Sequence, residues 1–223
     1  MLTRTAASAA VEQLGWRLIL GFLCAAVPVR SLTEAQQVAA QAIAACGADA
    51  DERVRIDLRP GRVEFAVQNA ATGWLDERDL EIAGVITHAL GGRTAAASSG
   101  GPRAVQMLEI AIDAIDIPAI MPFWRAVLGY TYDQGSDGTS GAVIDPLGQG
   151  PAVWFQQMDV QRPQRNRIHL DITVPHDEAD ARVAAAIAAG GHLVSDSAAR
   201  SFWVLADAEG NEVCVCTWQD RNH

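Results

Sequence analysis

Between Met107 and Trp218 the chain states one plan twice, and that repetition limits its fold more than any other feature. Leu108-Glu-Ile-Ala-Ile-Asp113 reads as a strand. Pro118–Gly129 sets Phe123, Trp124, Val127 and Leu128 at helical spacing; a turn-rich stretch and a strand at Ala152–Gln156 complete the unit. Then Arg167–Val174 reads as a strand and Glu178–Gly190 as an alanine-rich helix. A strand at Phe202–Leu205, a turn at Asp207-Ala-Glu-Gly-Asn211 and a strand at Glu212–Trp218 follow. A strand-helix-strands unit used twice predicts two half-sites enclosing a cupped ligand site.

The 223 residues suffice for two modest domains. The segment Gly91–Pro102 is small and flexible in composition, which predicts a linker over 92–105 between domains at 1–91 and 106–223. Net charge is −10, and every basic residue is an arginine. Such a surface argues against nucleic acid and anionic membranes as partners, since both demand a cationic footprint. Cys24, Cys46, Cys214 and Cys216 are too few for a disulfide framework in a chain this long. The apolar run Trp16–Val27 is too short to span a bilayer, and Glu12 precedes it, unlike a signal peptide. The expectation is a cytoplasmic protein.

In the first domain the pattern predicts a helix at Ala6–Leu14 and one strand at Trp16–Ala26. Ser31-Leu-Thr-Glu34 fits a capping box opening a helix that Gly47 ends. Arg53–Leu58 and Val63–Val67 read as a hairpin across Arg59-Pro-Gly-Arg62, and Asp76–Leu90 as a helix.

Asp113-Ala-Ile-Asp-Ile-Pro-Ala-Ile-Met-Pro-Phe-Trp-Arg-Ala-Val-Leu-Gly129 resembles the glyoxalase-like branch of the vicinal oxygen chelate superfamily. Asn166-Arg-Ile-His-Leu-Asp171 and Asp207-Ala-Glu-Gly-Asn-Glu-Val-Cys214 resemble that family's R-x-H-L-D strand and D-P-E-G-N-E-F-C turn. The resemblance covers residues 106–218 and implies paired βαβββ modules around one pocket. More weakly, Ile56-Asp-Leu-Arg-Pro-Gly-Arg-Val63 and Ala70-Ala-Thr-Gly-Trp-Leu-Asp-Glu-Arg-Asp79 resemble the pterin-4a-carbinolamine dehydratases, over residues 12–91. Together these imply an α+β protein: a small pterin-dehydratase-like α+β domain followed by glyoxalase-like paired modules. Both families commonly associate, so a homodimer is expected.

Dehydration of a pterin carbinolamine needs groups that give and take protons near neutral pH, a role imidazole fits. The family's His-His-Pro positions hold Glu52, Arg53 and Val54 here, and its Thr-His positions hold Asn69 and Ala70. No histidine precedes His88. Arg53 beside Glu52 is expected to favour its ionised form and weaken it as a base. The expected state is a retained but inactive fold.

The superfamily resemblance places metal-ligand positions at Glu109, His169 and Cys214, with Ala152 or Gln156 as the fourth. A Glu/His/Cys set without a sure fourth donor suits neither a hard ion nor an ordinary zinc site, so no metal or cofactor is expected. Without a metal, the expected cup has aromatic walls from Trp124, Trp154, Phe155, Phe202 and Trp203. Glu109, Asp113, Gln156 and His169 supply polar groups, Asp171 shares a face with His169, and Cys214 completes the wall. Asp171 with Arg167 reads as a structural ion pair. His88 falls on a helix, and His176 and His192 in turns. The function expected is binding of an apolar or aromatic small molecule, by sequestration or turnover. The alternatives are a metal-dependent lyase or isomerase in which Glu109 and His169 are catalytic, and a 4a-hydroxytetrahydrobiopterin dehydratase-related enzyme.

Overall fold

The computed structural model describes residues 2–94, 107–134, 136–160, 170–217 and 219–220, and the chain divides into two compact units, Met1–Met107 and Leu108–His223. Most of the expected linker, and with it Arg167, His169 and Trp218, lies outside the described residues. Among the described residues no helix is long and apolar enough to cross a membrane.

The first unit runs α1 (Arg4–Glu12), β1 (Arg17–Ile19), β2 (Phe22–Pro28), α2 (Leu32–Cys46), α3 (Asp49–Arg53), β3 (Val54–Arg59), β4 (Arg62–Val67) and α4 (Glu77–Ala89). Its strands form an antiparallel sheet in the order β1-β2-β4-β3. The single strand expected over 16–26 is instead a hairpin. Leu20 and Gly21 both have positive φ, 47° and 82°, which is the turn that matches the twist of paired strands. An unbroken apolar run hides that turn, because Leu20 carries none of the usual turn chemistry.

The helix ends follow from local chemistry. Ser31 Oγ accepts the Glu34 N–H at 3.1 Å, and the Glu34 carboxylate accepts the Arg30 N–H at 2.8 Å, one residue earlier than an ideal capping box. Asp76 and Asp79 form a reciprocal box at the start of α4. The core joins Trp16, Leu23, Val38, Phe65, Ile82 and Ile86. Its buried indole is not left unpaired: Trp16 Nε1 donates to Thr87 Oγ1 at 2.8 Å.

The second unit confirms the duplication strand by strand. Its first half is β5 (Glu109–Ala114), α5 (Ile117–Leu128), β6 (Thr131–Tyr132), β7 (Ala142–Ile144) and β8 (Ala152–Gln157). Its second half is β9 (Leu170–Thr173), α6 (Ala179–Ala188), β10 (His192–Ser195), β11 (Phe202–Ala206) and β12 (Glu212–Cys216). The sheets order as β5-β8-β7-β6 and β9-β12-β11-β10, and in each the first strand runs parallel to the last. His192 therefore opens a strand, not a turn as its glycine-rich approach suggested.

Both halves share one core. Ile112, Ala114, Val153 and Phe155 face it from the first sheet, Leu205, Val213 and Val215 from the second, and α5 and α6 lie against each other between them. The helices divide the volume unequally. Helix α5 supplies Ile120, Met121, Phe123 and Trp124, all buried, while α6 supplies Ala179 and Ala186. Gly191, just beyond α6, leaves the Phe123 ring its place: a Cβ there would collide with the ring.

The Asp207–Asn211 turn ties the halves together. Asp207 is fully buried, and its carboxylate accepts Trp124 Nε1 at 2.9 Å, Asn211 Nδ2 at 2.8 Å and the N–H groups of Glu209 and Asn211, each at 2.9 Å. Four donors offset the cost of burying the charge. The Glu209 carboxylate accepts the N–H groups of Ile115 at 2.8 Å and Asp116 at 2.5 Å, just before α5. These donors open a helix and would otherwise lack partners within it. Both acids of the turn thus bind the first half from the second.

Candidate functional site

Successive strand residues point to opposite faces, and only one face of each half-sheet carries helices. On β5 the residues Ile110, Ile112 and Ala114 pack into the core, so Glu109, Ala111 and Asp113 stand on the other, open face. The parallel register sets Glu109 beside Ala152, Ala111 beside Trp154 and Asp113 beside Gln156. On the far side of β8, Ala142 pairs with Trp154. The indole, 36% exposed, thus rises between two alanines, with exposed carboxylates one pair ahead and one pair behind. Four strand residues put those carboxylates' backbones about 13 Å apart. Glu109, Asp113, Trp154 and Gln156 are the expected site residues that the fold brings together.

Three expected aromatic walls face elsewhere. Trp124 is 2% exposed on α5 and bound to Asp207; it is core, because helical spacing cannot say which side of a sheet its helix will cover. Phe155 alternates with Trp154 and so turns inward. Trp203 packs against the same core, leaving its neighbour Phe202 on the open side. The open face is therefore less aromatic than the sequence suggested, while its acids are the ones expected.

The second half-sheet presents Asp171 and Thr173 on β9, Cys214 and Cys216 on β12, and Phe202 and Val204 on β11. Asp171 is exposed and pairs in register with Cys214. Burial, and then the neighbouring Asp171 carboxylate, push the Cys214 thiol up to about 11. A thiol raised in this way is a poor nucleophile at neutral pH. His169 and its proposed partner Arg167 lie outside the described residues. All four cysteines are free and buried.

Among the described residues the expected donor positions do not make up a divalent-ion set, and His169 lies outside them. Glu109 is faced in register by Ala152, which offers no donor atom, while Gln156 belongs beside Asp113, four residues along. Burial raises the Cys214 thiol above its ordinary range. Among the described residues no group of three or more His, Cys, Asp or Glu side chains is disposed to hold a metal.

In the first unit the segments resembling the dehydratase motifs do meet. The N–H of Ala70 donates to the Glu52 carbonyl and that of Gln68 to the Arg53 carbonyl, both at 3.0 Å. Arg53, however, does not serve Glu52 as expected. Its guanidinium reaches Asp79, which is fully buried, and Asp76, each at 2.9 Å, while Asn69 donates to Asp76 at 3.2 Å. Burial pushes the Asp79 carboxyl above its usual range. Burial acts on Asp76 in the same sense, yet the bonds from Asn69 and Arg53 hold it below. The position at which the resemblance expected an imidazole thus holds a guanidinium bound to two carboxylates.

Two βαβββ modules of identical strand order, packed through their helices with one sheet face left open, define the class of fold. The comparison with known families agrees: residues 109–216 match the model described as a glyoxalase-like domain. Among solved structures, the chain is similar to a glyoxalase/bleomycin resistance protein/dioxygenase family enzyme from Burkholderia phytofirmans. Identity is 18% and the TM-score 0.40, over 49% of this chain and 95% of that one. A fosfomycin resistance protein, FosX, from Listeria monocytogenes is similar at 11% identity and a TM-score of 0.41, over 53% of this chain and 94% of that one. A glyoxalase/bleomycin resistance protein from Albidiferax ferrireducens gives 19% identity and 0.39, over 49% and 95%. No curated protein matches the chain.

Proposed function

We propose that the second unit binds a small organic molecule on the open face of β5, β8 and β7, and does so without a metal ion. The observation that carries this reading is Trp154, a large ring left uncovered between Ala111 and Ala142 on the helix-free side of the sheet. A partly exposed ring beside a few polar groups is the usual composition of a small-molecule site. Glu109, Asp113 and Gln156 supply those groups. A lyase or isomerase working through a divalent ion has less support, because Ala152, which offers no donor atom, faces Glu109.

The test is a compound library screened by thermal shift against the native chain and Trp154→Ala, with and without chelator. Hits are expected to disappear in Trp154→Ala and to be indifferent to chelator. Hits that survive the substitution, or that require an added divalent metal, would overturn the reading. Since Trp154 is partly exposed, its loss should itself change stability by no more than about 0.5 kcal/mol.

We further propose that the first unit does not dehydrate pterin carbinolamines. The carrying observation is Arg53 bound to Asp76 and Asp79. A spectrophotometric dehydration assay should show no acceleration over buffer, and a measurable rate would refute this.

A further inference from the structure

We infer that the ligand of the open face is an organic cation with a flat aromatic body. The inference rests on reading that face as a binding face and adds the chemistry of its occupant. Two independent features agree on it. The first is the platform. Alanines at 111 and 142 flank Trp154, and the residue stays 36% exposed, so part of its indole is free to meet a planar ring. The π-face of an indole attracts cations more strongly than any other side-chain ring.

The second feature is uncompensated charge. Every arginine among the described residues of this unit is engaged elsewhere. Arg125 lies 4.7 Å from the Tyr132 ring centre, Arg182 donates to the Val127 carbonyl at 3.1 Å, and Arg200 pairs with Asp220 at 3.0 Å. Among the described residues Glu109 and Asp113 have no cationic partner, and they stand on opposite sides of the indole along the strand. In the first unit, by contrast, Asp49, Asp57, Glu64, Asp76 and Asp79 all pair with arginines. An aromatic cation supplies both the ring that the indole accepts and the charge that the carboxylates lack. A flat anion would meet the two carboxylates as like charges and bind more weakly. Gln156, beside Asp113, can donate to a polar substituent at that end.

The experiment titrates three aromatic probes: ethidium as a cation, 8-anilinonaphthalene-1-sulfonate as an anion, and phenazine as a neutral ring. Ethidium is expected to bind saturably at one site per chain. Trp154→Ala should weaken it about fivefold, and the pair Glu109→Gln with Asp113→Asn about fivefold to tenfold. The pair Glu12→Gln with Asp51→Asn removes the same charge from exposed positions of the first unit and should change the affinity less than twofold. If phenazine or the sulfonate binds in a Trp154-dependent way and ethidium does not, the face is a binding face and the cation inference is wrong. An equal loss in the first-unit pair would show diffuse attraction to an acidic protein, which also overturns it. Binding of no probe that responds to Trp154→Ala would overturn the inference and the face reading together.

Discussion

The two halves of the second unit have the same topology and opposite faces. Strand orders, parallel closing pairs and helix positions coincide, yet the first half presents Glu109, Asp113, Trp154 and Gln156, while the second presents Thr173, Cys214, Cys216 and Val204 beside Asp171. The first set is exposed, and the thiols of the second are buried. The inward faces stay matched because they must fill one shared volume, and close packing penalises mismatch on either side. The open faces carry no such joint constraint and can differ. A duplicated fold thus keeps its topology without keeping equal faces.

This contrast can be broken first at the shared core. Trp124→Ala removes the largest side chain of α5 and leaves Asp207 short of a donor, so it should cost about 3–5 kcal/mol. Denaturant unfolding of this variant should lower the stability of both halves in one transition. Two separate transitions within the unit would show that the halves do not depend on one core. Gly191→Ala forces a methyl group toward the Phe123 ring and should cost about 1–3 kcal/mol, again in the same transition. An unchanged midpoint would mean that the ring has room to move.

Smaller effects sharpen the contrast at the turn between halves. Glu209→Gln keeps the shape but removes the charge that accepts the Ile115 and Asp116 N–H groups, for about 0.5–1 kcal/mol. Hydrogen exchange should speed up at those two amides more than elsewhere in α5. A further effect should come from pH. The Cys214 thiol is raised to about 11 in the folded chain, above its unfolded value, so its contribution is complete below the unfolded value near 9 and fades as pH climbs through about 11. Stability measured from pH 8 to 11 should fall less steeply in Cys214→Ala than in the native chain. Equal slopes would place the thiol in contact with solvent.

Much of this was legible beforehand, for definite reasons. The helix capped by Asp76, the hairpin over 54–67 and the repeated strand-helix-strands plan follow from periodicity and cap chemistry, which are local. The hairpin within 16–28 escaped notice because its turn uses Leu20. Strand β10 escaped because two glycines precede a short, exposed run. Of the expected pocket residues, Trp154 and Gln156 lie exposed on one face of β8, while Trp124, Phe155 and Trp203 pack into the core. The acids of the Asp207–Asn211 turn read as part of a family motif, and no spacing rule reveals that they clasp Trp124 and the start of α5.

By itself, then, the sequence determined the elements, the duplication and which residues share a face, because each depends on neighbours a few positions apart. Only the tertiary structure decided which face is covered. It also decided that Ala152 rather than Gln156 stands beside Glu109, and that Trp154 rises between Ala111 and Ala142. Alternation along a strand has no sign, and register joins residues some forty positions apart. Both are settled only when helices and sheets compete for one core volume.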